Sequence, residues 1–351
     1  MRKIAFLLAG LATIVFLGAT CQKTSYDLGV FRSDDEGTTW QQKVKVGKSK
    51  KALAAQEVLS LVLDPQNSEI IYAGTRAKGV FKSYNGGEDW QKTSITTGEF
   101  RSIAVNPEDS NVIYAAGYVG KFGVIFKSED GGNSFEQIYA ETHQGVPIYS
   151  LTVDWFDSRK IWAGTGSGAV LKSEDSGRNW LVKQWFNDII MGITLSTLDS
   201  RHIIVGLRNG GLWETVDSGK EWKEINDRFV DKKDTERNDK ILTYSLTYSK
   251  TEKGTVYYSS KYQLLRSKDD GKTWKEIDLL ARPEKSSLME IGLDPFDSDK
   301  IYVSLDGNLY KSKDAGKKWE VAKITGGRIT NIIVDPQNTS KIYLGVRKPL
   351  Q

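Results

Sequence analysis

One cysteine and two histidines occur in 351 residues. Cys21 can form no internal disulfide. His143 and His202 lie far apart in the chain with no cysteine cluster beside either, so no metal site is expected. No glycine loop of the phosphate-binding kind precedes a helix, and hardly any helix is expected, so no nucleotide cofactor is called for. Beyond the first twenty residues no run is apolar enough to span a bilayer. The formal net charge is only +4, too small an excess to indicate nucleic acid. What the chain does have is 33 glycines and 11% aromatic residues, the composition of many short strands joined by tight turns.

The N-terminus, MRKIAFLLAGLATIVFLGATC, has a basic Arg2-Lys3 start, an apolar stretch from Ile4 to Leu17 and small residues before Cys21. This is the pattern of a secretory signal. It resembles a bacterial lipoprotein lipobox, which implies that Cys21 becomes the lipidated first residue. The spacing departs from that pattern, with Leu17 four residues before the cysteine and Thr20 next to it. An ordinary signal peptide or an uncleaved anchor is the alternative. The expected organisation is a signal peptide over 1–20, a short tether over 21–27 and a single domain over 28–351. The expected address is outside the cytoplasm, lipid-anchored to a bacterial membrane or envelope.

The frame Ser/Thr-x-Asp-x-Gly-x-x-Trp recurs seven times, at intervals of 42 to 52 residues. It begins at Ser33, Ser83, Ser128, Ser173, Thr215, Ser267 and Ser312, with Asn85 in place of Asp and Phe135 in place of Trp in single copies. Each copy has the chemistry of a β-hairpin. The carboxylates of Asp35, Asp130, Asp175, Asp217, Asp269 and Asp314, and the amide oxygen of Asn85, can accept backbone N–H groups across the turn. The glycine takes positive φ, and the aromatic opens the return strand toward the core. Two β-rich runs around a polar turn precede every copy except the first, as in VLSLVLDPQNSEIIYAGTRAKGVFKS. A repeat therefore holds four strands, A to D, and repeats of this length are propeller blades.

The first hairpin has no A–B pair before it, and the final segment, RITNIIVDPQNTSKIYLGVRKPLQ, is an A–B pair with no hairpin after it. The two halves complete one blade. The prediction is an all-β, seven-bladed propeller of four-stranded blades. In it, residues 28–42 form the outer strands and residues 329–346 the inner strands of the closing blade, so that no sheet edge of the array is left open.

The frame resembles the Asp-box, or bacterial neuraminidase repeat, over nearly the whole of the chain past the leader. That resemblance takes in sialidases, two-propeller endoglucanases that cut xyloglucan, sortilin-type receptors and photosystem II assembly factors. The single seven-bladed unit behind a signal is most similar to the last group, which implies a non-enzymatic protein that binds partners during assembly. The resemblance also implies that the seven Asp-box residues are structural and remote from the working face.

A sialidase-like glycoside hydrolase or a glycan-binding module is the alternative. Sialidases need three converging arginines, a Tyr–Glu nucleophile pair and an Asp acid/base, together with an Arg-Ile-Pro segment that is absent here.

The D–A and B–C connections share the face opposite the Asp-boxes, and they vary in length and chemistry. Variable loops on a rigid scaffold are where binding is expected. The candidate contacts for a protein or glycan partner are Arg76, Arg208 and Tyr262 in B–C loops, Arg101, Tyr149 and Arg328 at the starts of A strands, and Trp185 on the loop after a D strand. The basic run KVKVGKSKK is expected to reinforce them. Ser60, Ser102, Ser150, Gly192 and Asn331 share one small-residue position in strand A, where Glu290 is the odd member.

Overall fold

The structure is a computed structural model that describes residues 27–49, 52–229, 242–261, 263–279, 290–305 and 307–349. The leader with Cys21, Tyr262 and most of the charged segments 230–241 and 280–289 lie outside these residues.

The strands form seven antiparallel four-stranded sheets. Six are continuous in sequence. The first of these uses Val58–Leu63, Ile71–Thr75, Val80–Ser83 and Trp90–Lys92 as strands A to D. The seventh takes A and B from Arg328–Val334 and Ile342–Arg347, and C and D from Gly29–Ser33 and Gln41–Gln42. Its two halves join in unbroken register from Gly29 opposite Val346 to Ser33 opposite Ile342. Strand A of each blade packs against strand A of the next all the way round, which closes the propeller about a central axis. The predicted architecture and its composite closing blade are both present.

Each Asp-box builds the same turn. The first residue is a buried hydroxyl that accepts the N–H of the glycine four residues on, at 2.8 Å for Ser33 and Gly37 and at 2.9 Å for Ser173 and Gly177. It also donates to the Asp carboxylate, as Ser33 does to Asp35 at 2.7 Å. Asp35 Oδ1 then accepts the N–H groups of Thr38 and Thr39 at 3.0 and 2.7 Å. Hydrogen bonds to the ionised form hold the carboxyls of Asp35, Asp130 and Asp175 down at about 2. The residue before the glycine also takes positive φ, including Glu36, Ser176, Ser218, Asp270 and Ala315. That conformation is costly for a residue with a Cβ, and the hydrogen-bonded turn holds it in place.

Blades are fastened to one another at a fixed place. An aromatic of strand B stands opposite a cation of strand C, as Tyr72 does opposite Lys82 and Tyr302 opposite Lys311. The cation reaches a backbone carbonyl of the next Asp-box: Lys82 Nζ donates to Gly131 O at 2.5 Å, Lys311 Nζ to Glu36 O at 3.0 Å and Arg32 to Gly86 O at 2.8 Å.

Blade 4 departs from this scheme, with Ile204 opposite Glu214. Arg228 pairs with Glu214 and carries the cation's role, donating to Gly271 O in the next Asp-box at 2.8 Å. Buried His202 lies between Asp270 at 2.8 Å and Glu214 at 3.3 Å, and Tyr248 donates to the other oxygen of Asp270 at 2.7 Å. Burial alone would lower the imidazole's pKa, but the two carboxylates overcome it and raise it to about 9.

Candidate functional site

Strand A carries a register break at one position in six blades, between Val58 and Ser60, Phe100 and Ser102, Ile148 and Ser150, Ile190 and Gly192, Thr243 and Ser245, and Ile329 and Asn331. A bulge leaves one residue out of the ladder and re-aims its side chain. The six skipped residues are Leu59, Arg101, Tyr149, Met191, Tyr244 and Thr330, and all six line one cavity of about 280 Å³ on the propeller axis. The sheets thus project a ring of side chains into the channel at the one place where their A–B ladders break. Below them lies the ring of small residues, which gains Ser245 as its blade-5 member. Glu290 occupies the position in blade 6, its N–H donating to Ser304 Oγ at 3.1 Å.

At the D–A/B–C mouth of this channel the structure gathers arginines from three blades. Arg76 stands in the first B–C loop and pairs with Glu57 at 3.1 Å and with Glu99 at 3.5 Å. Arg101 pairs with the other oxygen of Glu99 and stacks on the Tyr149 ring, 4.6 Å from its centroid. Arg328 is buried and stands opposite Arg347 in the ladder of blade 7. Burial, and then the charges of Arg328, Arg76 and Arg101, lower the pKa of Arg347 to about 10, with Glu57 opposing. The charges of three guanidinium groups therefore reach a fourth, Arg347, at a single mouth.

The acid side is weaker. Glu57 and Glu99 are engaged by Arg76 and Arg101. Burial raises the Glu290 carboxyl to about 8 against the opposing effects of Ser245 and Arg347, which leaves it mostly neutral at pH 7.

Arg76, Arg101, Tyr149 and Arg328 are thus brought together. Arg208 and Trp185 join neither this cluster nor the cavity lining, whereas Arg76 and Arg328 belong to the cluster without lining the cavity. Arg208 is exposed in the B–C loop of blade 4, and its backbone bridges Ile189 and Thr243. Trp185 ends the outermost strand of blade 3 and is 58% exposed, while its neighbour Phe186 is buried against Trp213 and Trp222.

The basic run does not reinforce the mouth in its described part. Val44 and Leu53 are buried in the first blade's core, Lys43 pairs with Glu88 and Lys45 with Asp89 at the Asp-box end. Its alternating valines suit a strand that covers a blade edge, and Val46 forms a parallel bridge to Trp90.

Sequence reasoning missed Arg347, which ends a strand B. It also missed the A–B turns as an apolar surface, where Trp155, Phe156, Leu198 and Phe296 are exposed. Among the described residues there is no group of three metal-ligating side chains, and no helix long and apolar enough to cross a membrane.

Residues 29–146 match the family described as sortilin, neurotensin receptor 3, and residues 181–346 match the photosynthesis system II assembly factor YCF48 family. A xyloglucanase of Hypocrea jecorina is 34% identical over 123 residues, which is 33% of this chain but only 14% of that protein. Among solved structures, the GH74 enzyme of Niastella koreensis superposes with a TM-score of 0.65 at 16% identity, over 83% of this chain and 51% of its own. YCF48 bound to a D1 peptide superposes at 0.61 with 14% identity, over 84% of this chain and 94% of its own. At these identities the solved structures establish the fold alone. The chain spans about half of the GH74 enzyme and about a seventh of the curated xyloglucanase.

Proposed function

We propose, from the premise that the chain is an Asp-box propeller of the BNR type, that it is a non-catalytic binding scaffold or assembly factor. It acts outside the cytoplasm, tethered through a lipid on Cys21, and takes an acidic protein segment at the D–A/B–C face. The observation that carries this reading is the arginine cluster at the channel mouth. Arg101 stacked on Tyr149 supplies a rigid aromatic and guanidinium anchor of the kind that dominates binding energetics. That YCF48 has been solved with a D1 peptide supports a protein over a glycan as the partner.

A glycan-cleaving role is the second reading, favoured by the xyloglucanase match. Glycoside hydrolysis uses two carboxyl groups about 5–10 Å apart across a pocket. Among the described residues Glu290 is the one carboxyl lining the axial cavity.

Titration of acidic and neutral peptides in low salt separates the two. Acidic peptides should bind, weaken with added salt, and lose roughly tenfold or more in affinity in Arg101→Ala and Tyr149→Ala. Release of reducing sugar from xyloglucan, or binding indifferent to peptide charge, would overturn the proposal.

A further inference from the structure

The cavity beneath the arginine rim shares Arg101 and Arg347 with it and adds a carboxyl. Inside the cavity a carboxyl and a guanidinium, those of Glu290 and Arg347, share one wall system without touching. No hydrogen bond or ion pair joins them, although the charge of Arg347 is felt at Glu290. Glu290 is met by Ser245 Oγ at 3.3 Å, a long contact for so buried a group. Arg347 Nε and Ser150 Oγ are both buried with no hydrogen-bond partner among the described residues, and both residues line the cavity. Native structures seldom leave such atoms unpaired, so a polar group of something bound is the natural complement. The rest of the lining is mixed: Arg101 brings a second guanidinium, Thr243 and Asn331 are polar, and Leu59, Met191 and Leu246 form an apolar part. The volume of about 280 Å³ sits just below the usual range of small-molecule pockets, about 300 Å³ upward, and so suits a very small ligand.

An acid and a base held apart in one open-mouthed cavity set a double requirement. A simple anion would satisfy Arg347 and leave the Glu290 carboxyl with only its long contact to Ser245. A simple cation would satisfy Glu290 and meet the repulsion of the arginines above it. A molecule with a carboxylate and an ammonium a few bonds apart satisfies both ends, its ammonium drawing the buried Glu290 carboxyl back to the ionised form, and its side chain meets the leucines and Met191. We propose that the axial cavity is a subsite for a small zwitterion of the free α-amino acid class, its carboxylate on Arg347 and its ammonium on Glu290. The subsite rests on the binding-scaffold reading only in sharing its face, and it concerns a small molecule where that reading concerns a macromolecule.

Glu290→Ser is the decisive variant, because Ser60, Ser102, Ser150 and Ser245 show that the fold accepts serine at this position. Isothermal titration of the full mature protein with L-leucine, L-alanine, acetate and methylammonium is the measurement. Binding of an amino acid at least tenfold tighter than either half-ligand, with a tenfold or greater loss in Glu290→Ser, supports the proposal. Circular dichroism and acidic-peptide binding should stay unchanged in that variant. Acetate binding as tightly as the amino acids would make this an adventitious anion site and overturn it. So would undetectable binding of both amino acids, or an affinity untouched by Glu290→Ser. Peptide binding at the rim without amino-acid binding sinks the subsite alone, and the converse sinks the scaffold reading alone.

Discussion

Replacing His202 by glutamine should flatten the alkaline side of the stability curve. His202 is 6% exposed and sits between Asp270 and Glu214, with its pKa raised from 6.5 to about 9. A raised pKa means that the folded state holds the proton more tightly than the unfolded chain. The resulting stabilisation is complete below about pH 6.5 and is lost as pH climbs through about 9. At 1.36 kcal/mol per pH unit the shift corresponds to about 3 kcal/mol. Glu290 titrates in an overlapping window with the same slope. Its carboxyl is raised from 4.5 to about 8, so the folded state again holds the extra proton, and stability falls as pH rises between those values. The comparison therefore belongs in a Glu290→Ser background. Urea unfolding at pH 6, 7.5 and 9.5 supplies the free energies. The parent should lose about 3 kcal/mol across that range, and His202→Gln should be nearly level. Equal slopes in the two proteins would show that the imidazole is not held charged by its carboxylates, and the account of the fourth interblade fastening would fail.

Three further outcomes follow from the geometry. Deleting residues 328–351 removes buried Ile329, Ile342, Tyr343, Leu344 and Val346 and bares two sheet edges, so the shortened protein should not fold in soluble form; an unchanged melting temperature would refute the closure. Ser173→Ala strips the buried Gly177 N–H of its acceptor and should cost about 1–3 kcal/mol in chemical denaturation without altering peptide binding. Trp90→Ala empties a fully buried site and breaks the indole bond to Lys43 O at 3.0 Å, and a loss of about 3–5 kcal/mol is expected.

The fold was legible because its signal is local. Ser33, Asp35 and Gly37 lie within one hairpin, and the hydroxyl and positive-φ glycine that the turn requires appear in sequence in seven copies, with the carboxylate in six and Asn85 in the other. The half-repeats at the two ends were legible for the same reason. The site was legible only where its residues fall at recognisable places in the repeat, as Arg101, Tyr149 and Arg328 do. Arg347 was not, because nothing at the end of a strand B distinguishes a channel-lining residue from a solvated one. Glu290 stood out against its small neighbours, but the guanidinium that shares its cavity comes from another blade. The His202 network was equally hidden: Asp270 is 68 residues away in sequence, and the need for Arg228 appears only once Glu214 is seen in a place where other blades put a cation. The bulge in strand A, which aims the whole ring, has no residue signature at all; Leu59, Arg101, Tyr149, Met191, Tyr244 and Thr330 have no chemistry in common.

The composite blade also sets an order of events. Strand Gly29–Ser33 is made first among the strands, and its partner Ile342–Arg347 is the last strand of the seven sheets. Through most of synthesis the opening hairpin has no sheet to join, while six complete blades stand in an open arc. Closing a loop of more than 300 residues costs about 3 kcal/mol more in chain entropy than closing a hairpin-sized one. The final step is therefore all-or-none in time as well as in space, and a chain halted a few residues before Ile342 would present a nearly finished molecule with both mating edges bare. A circular permutation that moves the ends into the loop between two blades would turn this late, distant event into a local one. Such a permutant should close its ring during synthesis at an earlier point than the natural order of strands allows.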